Sequence, residues 1–262
     1  MDSTAFLTAF GYLDPASAHS TEAVQAAVAV AQGAYGLPVT GDLDPMTEKV
    51  FDRTPRCGMS DAEGLADGEA FWGLTVISWH VASFPVGLGY VRQTFEADIA
   101  KSFSNWSAII PRDFKMVLRA EEANIVFHMG RGRRANFDGK GGTLAYMEVC
   151  PRPNYKGVLS GAFDGDEPYG QGGILVENVG THEIGHALGF MHAWQSGQLM
   201  SSTYSQEISK PQSRDRERAQ SVYGVRTTTP PPPPPGTAVP AKAQILMADD
   251  SVWQFENPTR LR

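Results

Sequence analysis

The chain has 262 residues, 42% of them hydrophobic and 19% charged, a balance that excludes a wholly disordered protein. Its net charge of −7 gives no basic surface for a nucleic-acid partner. No apolar run reaches ~18–20 residues, so no membrane-spanning helix is expected, and two cysteines allow at most one bridge.

The opening residues, Met1 to Phe6, lack the basic start and long apolar stretch of a signal peptide. Residues 1–57 read as a small helical segment. Ser20 or Thr21 can cap a helix carrying Val24, Ala27, Val28 and Ala31 on one face. Asp44-Pro45 is a cap followed by proline at the first helical position, and it starts a second helix through Val50-Phe51. Residues 58–70, rich in glycine and small residues, form an exposed connector. Residues 71–226 mix both element types. Strands are predicted at 74–79, 124–129 and 143–149. Phe95, Ile99, Phe103 and Trp106 recur at helical spacing, and further helical patterns cover 179–188 and 215–223. The order predicts an α+β domain with a twisted sheet and a few packed helices. Residues 227–240 contain six consecutive prolines, a semi-rigid spacer, and residues 241–262 form a short tail.

The chemistry concentrates in Thr181-His182-Glu183-Ile184-Gly185-His186-Ala187-Leu188-Gly189-Phe190-Met191-His192, which reads H-E-x-x-H-x-x-G-x-x-H. On a helix, His182 and His186 project from one face and can reach one Zn²⁺. Gly189 can end the helix with a positive φ and let the chain return His192 as a third ligand. Three protein ligands leave a fourth position open, the arrangement of a catalytic zinc. Glu183 can then accept the proton of a zinc-bound water and pass it to a leaving amine, hydrolysing a peptide bond without a covalent intermediate. The pentapeptide alone also fits an amphipathic helix with two surface histidines; the glycine and third histidine in register favour the metal.

Met200 follows His192 by eight residues, on a turn-prone stretch. The extended motif followed by a methionine turn is the metzincin pattern, and the chain resembles a matrixin, the matrix-metalloproteinase type of metzincin. The resemblance implies a twisted, mostly parallel sheet with about three helices, preceded by an all-α prodomain. It also makes sense of Pro55-Arg56-Cys57-Gly58-Met59-Ser60-Asp61, which is similar to the family's cysteine switch P-R-C-G-x-x-D. There Cys57 would fill the fourth zinc position and hold the enzyme latent, with Arg56 and Asp61 pairing to fix the loop. A Cys57–Cys150 disulfide, or two unrelated thiols, is the competing possibility. The first segment also resembles a peptidoglycan-binding helical module, through Ala23-Val24-Gln25 and the run from Tyr35 to Asp44.

Phe137-Asp138-Gly139-Lys140-Gly141-Gly142-Thr143-Leu144-Ala145 and Phe163-Asp164-Gly165-Asp166-Glu167 resemble family segments that hold a structural Ca²⁺. By that resemblance Asp138, Asp164 and Glu167 would supply carboxylates, and Gly139, Gly141 and Thr143 would supply carbonyls, an oxygen-only set that suits the ion. Leu144 and Ala145 would lie on the edge strand that an extended substrate joins. The family's second, structural zinc is not expected. Tyr146, Ala162, Arg133, Arg134 and Asn136 stand where its ligands belong, with His128 on the strand instead. The specificity pocket departs too: Ser202-Thr203-Tyr204 keeps only the tyrosine of P-x-Y, and Asn178 replaces an apolar residue four before His182. The tail from Gln244 to Phe255 resembles the first strands of a hemopexin-like blade.

The implied activity is a latent zinc metalloendopeptidase acting on proteins. It would be monomeric, extracellular, and activated by another protease or by self-cleavage between Asp61 and Phe71. The alternative is a glycan- or cell-wall-directed module with an amidase-like or vestigial zinc site.

Overall fold

The structure is a computed structural model that describes residues 2–61, 70–84, 90–132, 137–170, 173–193, 197–227, 242–246 and 252–256. The chain opens with three helices, α1 (Ser3–Ala9), α2 (Thr21–Ala34) and α3 (Pro45–Arg53). Each begins at a side-chain cap. Asp2 accepts from Thr4 and Ala5, Ser20 from Ala23, and Asp44 from Met46 and Thr47, each cap contributing about 1 kcal/mol. The apolar faces close on Phe6, Leu7, Phe10, Leu13, Ala27, Val28, Ala31 and Phe51, with Phe6 and Phe51 stacked at 4.3 Å. Buried Gln32 binds the loop after α2: its Oε1 accepts from Thr40 and Gly41, and its Nε2 donates to Thr40, Asp42 and Thr47.

A six-stranded sheet follows, formed by β1 (Arg56–Cys57), β2 (Val76–Ser83), β3 (Asp113–Met116), β4 (Ile125–Gly130), β5 (Thr143–Met147) and β6 (Leu159–Asp164). Its order is β1-β5-β6-β4-β2-β3, and only the β5–β6 pair is antiparallel. Helix α4 (Arg92–Ser107) lays the expected stripe of Phe95, Ile99, Phe103 and Trp106 on the sheet, all buried. Phe95 meets Phe163 edge-on at 5.0 Å, and Phe103 stacks on Trp79 at 5.2 Å. Trp106 Nε1 donates to Thr181 O at 2.7 Å, joining α4 to α5 (Val176–Ala187). Helix α6 (Ser213–Tyr223) completes the domain.

This is the α+β arrangement the sequence predicts, with differences at element ends. The strand expected at 74–79 runs from Val76 to Ser83 instead. Strands β1, β3 and β6 and helix α1 go beyond the sequence pattern. Central β6 is buried at five of its six positions, so its residues show no alternation; β3 is half-exposed; α1 is only seven residues long. In the tail, β7 (Lys242–Leu246) and β8 (Val252–Glu256) pair antiparallel. The connector residues 62–69 and the proline run lie outside the described residues. Among the described residues no helix is long and apolar enough to cross a membrane.

Candidate metal centre

Helix α5 is buried from Val176 onward except at Glu177, because it lies between α4 and the sheet. His182, Glu183 and His186 are therefore held out of bulk water. The helix ends where the motif requires: Gly189 has φ +99°, and a Cβ there would stand 2.5 Å from Ala70 O. Gly189 donates to His186 O and Phe190 to Gly185 O, which reverses the chain and returns His192 to the site.

The Nε2 atoms of His182 and His186 are 3.1 Å apart, and those of His186 and His192 are 3.2 Å apart. Cys57 Sγ lies 3.4 Å from His186 Nε2, and the four ligand atoms all fall within 4.8 Å of one another. Every Nδ1 faces an oxygen: Leu199 O at 2.7 Å from His182, Phe190 O at 2.7 Å from His186, and Asp61 Oδ1 at 2.8 Å from His192. The carbonyl acceptors put the ring protons of His182 and His186 on Nδ1, and the Nε2 atoms of all three histidines converge on one point. Burial lowers the pKa of His182 to about 3, with His192 beside it adding to the effect, and pushes His186 well down for the same reasons. Neutral imidazoles aimed at each other repel unless a cation joins them. Tetrahedral ligands about 2.0–2.1 Å from an ion would sit roughly 3.3 Å apart, close to the observed spacing. The donor set thus fits zinc.

Glu183 is 1% exposed, and burial raises its carboxyl to about 8. Its Oε2 has no donor among the described residues. Burial, with the Glu183 charge adding to it, also pushes the Cys57 thiol well up. A thiolate there needs a cation's help. Both cysteines are free.

The segment around Cys57 lies between two walls. Arg56 N–H donates to Gly142 O and Gly58 N–H to Ala145 O on the β5 side. On the other side Cys57 N–H donates to Ser202 O, and Tyr204 N–H donates to Pro55 O. A Cβ at Gly58 would stand 2.8 Å from Thr143 Cγ2 and 3.3 Å from Ala145 O, so only glycine permits this approach. Arg56 is 2% exposed, pairs with Asp61 at 2.8 Å, covers the Phe10 ring at 3.4 Å and donates to Tyr35 OH. Tyr12 OH donates to Asp61 Oδ2 at 2.6 Å. Burial alone would raise Asp61, but contact with His192 and the Arg56 charge bring it down to about 2.

Motif reasoning does not reach Tyr12, or the contact of Asp61 with His192. It also misses Asp215, 1% exposed on α6, which accepts from Leu199 N–H at 2.7 Å, Met200 N–H at 3.3 Å and Gln212 N–H at 2.9 Å. The Met200 N–H and the Leu199 carbonyl belong to one peptide group. A chain therefore runs from the Asp215 carboxylate through that peptide to His182 Nδ1. Met200 is buried against α5 at Gly185. The only hint in sequence is an acid in the first turn of a helix.

The loop residues expected to hold Ca²⁺ come together in part. Asp138 Oδ1 accepts from Thr143 N–H at 3.0 Å and Glu167 Oε1 from Gly141 N–H at 2.6 Å, while buried Asp164 Oδ2 has no donor among the described residues. Burial, with neighbouring carboxylates adding to it, raises Asp164 to about 6 and Glu167 to about 7. Tyr146 and Ala162 are paired across β5 and β6, and the Tyr146 ring packs on Phe137 at 5.6 Å. Arg133, Arg134 and Asn136 lie outside the described residues. Beside His182 and Glu183 a cavity of about 30 Å³ is lined by Leu144, Val179, Asn178 and Tyr204, among others. Ala145 is fully buried on β5.

Fold and site together describe a metzincin-type centre behind a helical pro-segment. The chain matches the Matrixin family over residues 71–224 and the peptidoglycan binding domain family over residues 4–50. It is similar to matrilysin of Felis catus, at 33% identity covering 82% of this chain and 84% of that protein. It is also similar to matrix metalloproteinase-25 of Mus musculus (30% identity; 84% of this chain, 40% of that protein) and to stromelysin-2 of Rattus norvegicus (29%; 87% and 48%). The chain thus spans less than half the length of the latter two. It belongs to the matrixin family, a family of zinc metalloendopeptidases.

Proposed function

We propose that this chain is a latent zinc endopeptidase that hydrolyses internal peptide bonds of extracellular proteins. The observation that carries the proposal is the convergence of three imidazole Nε2 atoms and one thiol on a single point. His182, His186 and His192 would hold the zinc. The ion would act as a Lewis acid toward the substrate carbonyl and the attacking water.

Cys57 occupies the side of the site that water must enter, so the chain is inert while the segment stays seated. With the thiol withdrawn, Glu183 faces the space the sulfur leaves, in a pocket dry enough to keep it basic. Its carboxylate accepts the proton of the attacking water and returns it to the leaving nitrogen. The vacated edge of β5, through Leu144 and Ala145, offers backbone groups to an extended substrate. Asp138, Asp164 and Glu167 support a Ca²⁺ site, since an unpaired buried carboxylate oxygen calls for a cation. Tyr146, packed on Phe137 and paired with Ala162 where ligands of the second zinc would stand, supports a chain without that zinc.

The helical module contacts the switch rather than standing apart from it. Asp61 N–H and Ser60 Oγ both donate to Phe10 O, and Tyr12 binds Asp61. That favours an inhibitory role over glycan binding. Glu183→Ala should abolish proteolysis with zinc still bound, and Cys57→Ser should cleave substrate without processing. Peptidase activity surviving the first change would refute the mechanism; inertness of the second would refute the switch.

A further inference from the structure

His182 and His186 are held by a buried helix, whereas His192 stands on residues 190–193, which form neither helix nor strand. A ligand on irregular backbone is fixed only as firmly as the contacts on either side of it. Backbone bonds supply part of that support: Phe190 N–H donates to Gly185 O at 3.0 Å, and Ala193 N–H to Met200 O at 2.7 Å. The Met191 carbonyl, which shares a peptide group with the His192 nitrogen, is held by a side chain instead. Arg218, half-buried on α6, donates to it from Nη2 at 2.9 Å. The same guanidinium lies 5.8 Å from the centre of the Phe190 ring. That ring stacks on Trp106 at 5.6 Å and meets Tyr223 edge-on at 6.1 Å, and the Phe190 carbonyl accepts from His186 Nδ1 at 2.7 Å. One arginine thus touches both the residue before the third ligand and the residue that orients the second.

We propose that Arg218 is a positioning residue for the zinc: it locks the Phe190–Met191 turn so that the His192 imidazole is aimed at the ion before the ion arrives. The inference rests on the three-histidine ligand reading above. A guanidinium suits the task, because its planar fork can bond a carbonyl and cover an aromatic ring at once. Asp215, one turn earlier on α6, supports His182 through the Leu199–Met200 peptide, so a single helix steadies two of the three ligands. In the latent chain His192 has a further support in Asp61, 2.8 Å from its Nδ1. Asp61 belongs to the segment that would withdraw, while Arg218 stays with α6.

The test uses the full chain carrying Cys57→Ser, so that the three imidazoles hold the ion without the thiol. Competition with a chromophoric chelator reads zinc affinity, and urea denaturation of the metal-free chains reads the fold. Arg218→Ala should lower zinc affinity about tenfold or more, with a metal-free urea midpoint close to the parent's. Arg218→Lys should recover only part of the loss. Arg216→Ala, which removes an exposed charge from the same helix, should leave the affinity unchanged. With cobalt(II) in place of zinc, the visible spectrum of Arg218→Ala should depart from the parent's, because a loosened His192 alters the coordination geometry. Parental zinc affinity in Arg218→Ala would overturn the proposal, as would an equal loss in Arg216→Ala. If the alanine variant does not fold, Arg218→Lys decides on the same reading: parental affinity there overturns the proposal. A parent that binds no zinc would overturn the ligand reading itself, and this inference with it.

Discussion

Replacing Asp215 with alanine tests whether the methionine turn is built from α6. The carboxylate accepts three N–H groups, two of them on Leu199 and Met200, which are 5% and 0% exposed. Water cannot readily replace the lost oxygens there. Two orphaned buried donors at about 1–3 kcal/mol each give a loss of about 2–6 kcal/mol, a large share of the roughly 5–15 kcal/mol a folded domain possesses. Gln212 N–H is nearer the surface and adds little. The same change frees the Leu199–Met200 peptide whose carbonyl holds His182 Nδ1 at 2.7 Å, so zinc affinity should fall about 10–100-fold. Urea denaturation of the full chain at fixed free zinc gives the first number, and competition with a chromophoric chelator gives the second. Asp215→Asn retains one acceptor and should recover part of both. A variant within about 0.5 kcal/mol of the parent, with unchanged chelator competition, would show that the carboxylate holds nothing that matters.

Asp61→Asn should loosen the latent state, because it leaves buried Arg56 without its 2.8 Å partner, a change that typically costs about 3–5 kcal/mol. Alkylation of Cys57 should become faster than in the parent; an unchanged rate contradicts the clamp. Burial, with neighbouring carboxylates adding to it, raises Asp164 to about 6 and Glu167 to about 7 from ordinary values of 3.8 and 4.5. Without calcium the folded chain keeps protons over that window that the unfolded chain has released, so its stability should fall as pH rises from about 4 to about 7. Calcium requires those groups ionised. Its gain in melting temperature over EGTA should therefore be larger at about pH 8 than at about pH 5, and an equal or reversed difference would remove the site. Elemental analysis of the purified chain should find one zinc; two would contradict the loss of the second zinc site.

What the sequence exposed was local chemistry. Ser20, Asp44-Pro45 and Gly189 act within a few residues of where they stand, so the helix ends around them could be read directly. The histidine spacing was legible because a helix converts four residues into one face. Long-range partners were not. Asp215 meets Leu199 across sixteen residues, and Tyr12 meets Asp61 across forty-nine. Nothing in either local pattern distinguishes such a side chain from a solvated one. β6 was hidden for another reason: a strand flanked on both edges and covered on both faces has no polar side to alternate with.

The segment from Pro55 to Gly58 hydrogen-bonds to both banks of the cleft, yet covers only about four residues. So short a ribbon has little intrinsic affinity. Its hold comes from being tethered, which keeps its local concentration at the millimolar level or above. On the latent-enzyme proposal above, severing the connector would make the same ribbon a dilute competitor that any incoming chain can outnumber. Release would then be governed by dilution as much as by bond breaking, and would become harder to reverse with every increase in volume.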